Sequence, residues 1–170
     1  MDAMSALPIY IPEKLAKELE RRGLSVVDIV ASALDLDPET VIEARLELAE
    51  KYLREVEDYV EKGDAVQASE KLYKAVEECV KALAQRYTTP EHQAALKEGR
   101  WWTQLLGKAA RRLSRMLREP KIEYTWAVAY DVHVWGFHEA KYDVDDLKDD
   151  VEHAKWLLSF TKQVMASKAS

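Results

Sequence analysis

The fold is decided by residues 50–87, EKYLREVEDYVEKGDAVQASEKLYKAVEECVKALAQRY. Apolar side chains recur in this stretch at steps of three and four residues, which is the spacing of one face of an α-helix. The pattern is interrupted at Lys62-Gly63-Asp64, which supplies a glycine to end one helix and an aspartate to cap the next. Two long amphipathic helices joined by so short a turn must lie antiparallel.

Helix signals continue on both sides of this pair. Asp37, Thr89 and Asp143 each offer a capping side chain, and proline follows the first two. We expect helices at about 37–61, 65–87, 123–140 and 144–165, with a capped helical segment between 89 and 120. An extended start and two short helices are expected before Asp37. We therefore predict an all-α chain: an antiparallel up-and-down helical bundle over residues 37–170 and a short helical N-terminal extension over residues 1–36.

The composition limits where this protein works. The 170 residues carry a formal net charge of −6 at pH 7, which gives no overall attraction for nucleic acid or acidic membranes. Cys79 is the only cysteine, so an intrachain disulfide is excluded and a reducing compartment is favoured. The first residues lack the pattern of a signal peptide, and no apolar run reaches the roughly eighteen residues of a membrane span. We expect a cytoplasmic protein that does not bind membranes.

Positive charge is concentrated in one segment. Residues 97–121 contain eight Lys or Arg against two Glu, whereas residues 143–152 contain six acids against one lysine. Five cations of the first segment follow steps of three and four residues that place most of them on one outward helix face: Lys108, Arg111, Arg112, Arg115 and Arg118. Such a face can follow a phosphate backbone or hold the phosphates of a nucleotide. The alternative is that these cations pair with the acidic segment or are only solvated.

Aromatic residues beside the basic segment are candidates for contact with a base. We expect Trp102 and Met116 to face the core, and Trp101 to be available for stacking. Tyr130 and Trp135 are expected to line an adjoining cleft. The sequence therefore predicts that RNA or a nucleotide binds across these residues.

The helical pair and the later stretch WGFHEAKYD, residues 135–143, resemble the PaREP family of uncharacterised archaeal proteins, which is related to HEPN domains. The similarity spans about residues 38–165 and is most specific from Gly63 to Ala84. It implies a HEPN-like antiparallel bundle of four to five helices, often paired as a homodimer. It implies no activity, because none is established for the family.

RNA-cleaving HEPN proteins carry an arginine, four to six intervening residues and then a histidine, near the start of a late helix. His138 falls where the resemblance places that histidine, but counting back gives His133, Val132 and Asp131. The spacing from Arg86 to His92 fits, but it crosses a proline that should break a helix. We therefore favour a non-catalytic binding protein. The alternatives are a divergent metal-independent endoribonuclease using His133 and His138, and a protein-interaction module of a toxin–antitoxin type pair.

The two histidines differ in their predicted surroundings. On an α-helix with 100° per residue, His133 falls in an aromatic stripe with Trp126, Tyr130 and Phe137. It can be a hydrogen-bonded core histidine or a titratable group with a perturbed pKa. His138 falls about 140° further round, so the two imidazoles are not expected to bind one metal ion. Asp149 and His153 lie one turn apart, but acids are expected at a helix N-terminus. No metal or cofactor is predicted.

The N-terminal extension loosely resembles a ribbon-helix-helix unit. Such a unit reads DNA through polar or basic side chains on its ribbon, and Ile9-Tyr10-Ile11 supplies none. Residues 1–36 also carry a net charge of −2, with four Lys or Arg against six acids. The sequence therefore argues against DNA binding and favours a lid or dimerisation arm.

Overall fold

The two longest helices of the chain form the predicted antiparallel pair. They are α3, Pro38–Glu61, and α4, Ala65–Arg86. The side chain of Asp37 accepts a hydrogen bond from the backbone N–H of Thr40 at 3.0 Å, and Asp64 accepts from Gln67 at the same distance. Between them Gly63 adopts φ +74°, the left-handed conformation that ends a helix most easily at glycine. The caps and the turn confirm the prediction made from residues 50–87.

A computed structural model describes residues 7–167 of the chain, and within that range every regular element is helical. The predicted all-α class is confirmed. The chain divides into two compact units, Met1–Asp35 and Leu36–Ser170. Besides α3 and α4, the α-helices are α1 Glu13–Arg22, α2 Val26–Ala33, α5 Pro90–Glu98, α6 Thr103–Met116, α7 Pro120–Asp131 and α8 Lys148–Ala166. A π-helix, Val132–His138, follows α7, and a short 3-10 helix, Asp145–Leu147, precedes α8.

Helix α4 is the centre of the second unit. It packs against α3, α6, α7, α8 and the π-helix, and 14 of its 22 residues are buried. Cys79 lies in this core at 1% exposure, and burial raises the pKa of its thiol to about 12. It is a small apolar core residue and not a nucleophile.

Three charged side chains are buried between α3 and α4. Arg45, Glu78 and Lys81 are 6%, 3% and 3% exposed. One guanidinium nitrogen of Arg45 lies 2.9 Å from a Glu78 oxygen, and the Lys81 ammonium lies 3.7 Å from the other oxygen. Two cations thus share one carboxylate inside the bundle, where an uncompensated charge would be costly.

The predicted helix over 123–140 is wrong at both ends. Helix α7 begins earlier, at Pro120, whose missing N–H is harmless at a first helical position. The α-helical hydrogen-bond pattern stops at Asp131 and becomes a π-helix from Val132. The predicted final helix is preceded by the 3-10 turn, and Asp143 caps that turn by accepting from the N–H groups of Asp145 and Asp146 at 2.9 and 3.1 Å.

The first unit is a pair of short helices with an exposed apolar surface. Neither α1 nor α2 contains a buried residue, although Gly23 ends α1 and the side chain of Ser25 caps α2. A groove of about 470 Å³ is lined mainly by apolar side chains, among them Tyr10, Leu15 and Ile29. In the described part of the chain, every helix is too short or too polar to cross a bilayer.

Candidate functional site

The π-helix changes which residues of the chain share a face. The N–H of Glu139 donates to the carbonyl of Val134 at 2.9 Å, a bond that spans five residues instead of four. Residues five apart therefore lie about one turn apart in this segment. Gly136 allows the segment to approach α4 closely, since a Cβ at that position would lie 2.8 Å from the Cβ of Ser69.

His133 and His138 meet across one turn of the π-helix. Their Nε2 atoms are 3.0 Å apart, and their rings are nearly perpendicular, at 82°. The predicted separation of about 140° is wrong, because it assumed α-helical pitch over a segment that is wound more widely. The His133 side chain is only 20% exposed, whereas His138 is exposed.

Glu70 of α4 holds the other side of His133. Its Oε2 atom lies 3.4 Å from Nδ1 of His133, and its Oε1 atom lies 3.4 Å from the ammonium of Lys74. Burial raises the pKa of Glu70, but the contact with His133 and the positive charge of Lys74 outweigh burial, so the pKa is lowered. An ionised Glu70 favours a proton on Nδ1 of His133 and leaves the lone pair of Nε2 facing His138.

Aromatic rings fix the orientation of His133. The imidazole stacks on Tyr73 with ring centroids 4.0 Å apart, and Phe137 stacks nearby at 5.8 Å. Tyr73 also contacts Trp126, whose ring is followed by that of Tyr130. Tyr73 thus connects the rings of the predicted aromatic stripe. Periodicity along one helix cannot reveal this contact, because Tyr73 lies on α4, a different helix.

The exposed rings of this region are Tyr130 and Trp135, at 45% and 46% exposure. They remain accessible, as a cleft-lining role requires. The spacing from Arg86 to His92 is indeed interrupted: α4 ends at Arg86, Thr88 adopts φ +47°, and α5 begins at Pro90. Arg86 and His92 therefore do not share a helix face.

The basic face of α6 is only partly engaged. Arg112 is committed to Glu91, with Nε at 2.9 and 3.0 Å from its two carboxylate oxygens. Arg111 lies 3.3 Å from Glu123 in an exposed pair. These two cations thus pair with α7 and α5, and not with the acidic segment 143–152 that the sequence offered as the alternative.

The remaining cations of the face are available to a ligand. Lys108, Arg115 and Arg118 are exposed, and none of them forms an ion pair within residues 7–167. Arg118 follows the end of α6 with φ +53°, so it lies beyond the helix itself.

The two tryptophans before α6 exchange their predicted roles. Trp101 is half-buried against the core, whereas Trp102 is 39% exposed. The Trp102 indole donates to Glu98 at 2.6 Å, and the Arg100 guanidinium lies 3.6 Å from its ring centroid. Helical periodicity fails there because Trp102 is the extended N-cap residue of α6. Met116, at the other end of α6, is 50% exposed and not in the core as predicted.

The acidic start of α8 carries no metal cluster. His153 packs edge-on against Tyr124 with ring centroids 5.0 Å apart. Within the described range, no three His, Cys, Asp or Glu side chains come together in a way that could hold a metal ion. The π-helix brings together two side chains of this kind, with Nε2 of His133 facing Nε2 of His138.

Comparison with known proteins places this geometry in a family. No curated protein matches the chain. A crystal structure of a Sulfolobus solfataricus protein is 36% identical, with a TM-score of 0.63 over 69% of this chain and 96% of that one. A solution structure of the same target, the Orf c02003 protein, is 34% identical, with a TM-score of 0.63 over 71% and 92% of the two chains. The family model that matches covers residues 44–158, which include Glu70, the basic face and both histidines. The chain belongs to the archaeal PaREP1/PaREP8 family.

Proposed function

We propose that the protein binds the phosphate groups of RNA or of a nucleotide along the exposed face of α6, without cleaving them. The observation that carries this proposal is the set of exposed cations, Lys108, Arg115 and Arg118, that lack an acidic partner within residues 7–167. Helix α6 itself contains no acidic residue, although the whole chain is negatively charged. Phosphate is the common biological anion that such a face would attract.

The spacing of the cations suits a chain of phosphates. Lys108, Arg111 and Arg115 lie at steps of three and four residues, so they share one face and span about 10 Å along the helix. Arg111 can join them, because its pair with Glu123 is exposed and an exposed pair contributes little stability. Arg112 is excluded from this role, since Glu91 already holds its guanidinium in two contacts.

Trp102 is the aromatic residue best placed to accept a base. It immediately precedes α6, and its ring is stacked by Arg100 on one side and remains 39% exposed. Bases stack on such rings with little dependence on sequence. Trp102 therefore takes the stacking role that the sequence suggested for Trp101, because Trp101 packs against the core.

The experiment is a titration of the full-length protein with labelled single-stranded RNA, followed by fluorescence anisotropy at about 50 and 200 mM salt. We expect binding that weakens with salt, and a weaker affinity for the double variant Lys108→Gln with Arg115→Gln. Loss of two phosphate contacts should lower the slope of log affinity against log salt by about 1.4. Arg54→Gln with Lys62→Gln, an exposed cation of α3 and the exposed lysine that follows its end, is the matched control.

Absence of binding at low salt would show that the face has another role. An equal loss of RNA affinity in the control variant, Arg54→Gln with Lys62→Gln, would show that binding depends only on the total charge of the protein. ATP, titrated in parallel, separates a nucleotide site from a binding surface for longer RNA. All titrations contain EDTA, so that bound metal ions do not contribute to the measured affinity.

A second candidate function is favoured by the contact of Glu70 with His133 and of His133 with His138. A carboxylate that orients one imidazole toward another is an arrangement that can relay a proton in general acid–base chemistry. The divergent endoribonuclease using His133 and His138 rests on this geometry. Cleavage of mixed RNA in EDTA that disappears in His138→Ala would establish it in place of the binding function.

A further inference from the structure

We infer that His133 and His138 together bind one divalent transition-metal ion, of the class of Zn²⁺, through their two Nε2 atoms. This inference does not depend on phosphate binding by α6. It rests on the distance between the two nitrogens, the contact of Glu70 with His133, and the packing that holds His133 in place.

The distance between the nitrogens fits a shared ion. Histidine nitrogens bind Zn²⁺ at about 2.0–2.1 Å, so two of them at angles of 90–110° lie about 2.9–3.4 Å apart. The Nε2 atoms of His133 and His138 are 3.0 Å apart. The π-helix thus creates for residues five apart the pairing that an α-helix creates for residues four apart.

Glu70 prepares His133 to act as a ligand. A histidine that binds a metal ion commonly donates its other N–H to a carboxylate, which fixes the tautomer and makes the binding nitrogen more basic. The Oε2 atom of Glu70 lies 3.4 Å from Nδ1 of His133, an ion-pair contact that falls short of a hydrogen bond, and Nε2 is directed toward His138. Lys74, 3.4 Å from the same carboxylate, balances its charge.

The surrounding side chains hold His133 in place and leave His138 open to solvent. His133 is stacked on Tyr73 and Phe137, and the π-helix is pressed against Ser69 at Gly136. His138 is exposed, so water or a small ligand can complete the coordination of the ion. Two imidazole nitrogens favour Zn²⁺, Cu²⁺ or Ni²⁺ over Mg²⁺ and Ca²⁺, which take oxygen ligands.

Without a metal ion, the same 3.0 Å separation holds one shared proton between the rings, with one nitrogen donating and the other accepting. Metal binding replaces that proton. A metal titration of the intact protein therefore distinguishes the two states directly.

The test is isothermal titration calorimetry of the full-length protein with ZnCl₂ near neutral pH, after EDTA has been removed by dialysis. We expect one Zn²⁺ per chain, and at least a tenfold weaker affinity in His133→Ala and in His138→Ala. Glu70→Gln should weaken binding about 10- to 100-fold while both ligands remain. His153→Ala, the matched control from α8, should bind as the unchanged protein does.

Nitrogen-detected NMR of the histidine side chains gives a second reading on the unchanged protein. Zn²⁺ should shift the Nε2 resonances of His133 and His138 and leave those of His92 and His153 in place. Shifts spread over all four histidines, or a titration unchanged in His138→Ala, would overturn the inference. Because the RNA titrations contain EDTA, failure of metal binding leaves the phosphate proposal to be judged separately.

Discussion

The Nε2 atoms of His133 and His138 lie 3.0 Å apart although five positions separate the two residues in the sequence. The contact exists because the hydrogen bonds of Val132–His138 follow the π-helical pattern. Glu70 reaches His133 from α4, so two elements build a three-residue arrangement on one face of the bundle. The geometry of the site therefore depends on how closely the π-helix packs on α4.

Replacement of Gly136 by alanine should disturb both the fold and the histidine pair. The added Cβ would lie 2.8 Å from the Cβ of Ser69 and closer still to its Oγ, so one element must move. We expect a loss of about 1–3 kcal/mol in the free energy of unfolding, measured with urea. Gly107→Ala is the control, because its Cβ would meet only the Trp126 indole at 3.2 Å and should cost less.

Glu78 is expected to be important for stability. In Glu78→Gln, Arg45 and Lys81 would lose the ionised carboxylate that they share in the core, and breaking a buried ion pair costs about 3–5 kcal/mol. Urea unfolding measures the loss. Glu57→Gln, which weakens the exposed pair with Lys155, should cost less than about 1 kcal/mol. Similar losses in the two variants would contradict the role given to burial.

His92 should make the stability sensitive to acid. Burial and the positive charge of Arg45 lower the pKa of His92 below its ordinary value of 6.5, so the unfolded chain takes up this proton at a higher pH than the folded chain. The contribution of His92 to the free energy of unfolding is complete above pH 6.5. It is lost as the pH falls below 6.5 and through the lowered pKa of the folded protein. We expect the stability advantage of the unchanged protein over His92→Gln to shrink between pH 7.5 and pH 5, as measured by urea unfolding.

Removal of residues 1–35 should leave the bundle folded. The buried apolar side chains of the described range begin at Val41, and neither α1 nor α2 contributes one. We expect residues 36–170 to retain a cooperative thermal transition by circular dichroism, within a few degrees of the full-length protein. Loss of that transition would show that the first unit supports the second.

Local signals predict much of this fold and little of the site. The side chains of Asp37, Asp64 and Thr89 cap their helices as the sequence indicates, because a cap depends on neighbours within three residues. The class and the α3–α4 pair follow from the same kind of signal. The predicted boundary near residue 36 comes from the same kind of signal, the helix start at Asp37 and Pro38.

The site depends on contacts that no local pattern contains. Trp102 lies outside the core because it is the N-cap of α6. Helical spacing does not apply to that position, which is one residue before the helix begins. Glu70 and Tyr73 meet His133 only after two helices pack. The change to π-helical winding after Asp131 has no established sequence rule, and a regular helix is the natural reading of the segment.

The winding of Val132–His138 bears on how histidine pairs are sought in genomes. Searches for chelating histidines on helices use the motif HxxxH, in which three residues intervene. Here four residues intervene, HVWGFH, and the rings still meet. A search of archaeal proteins for HxxxxH with a glycine in the interval would gather candidates that the shorter motif overlooks.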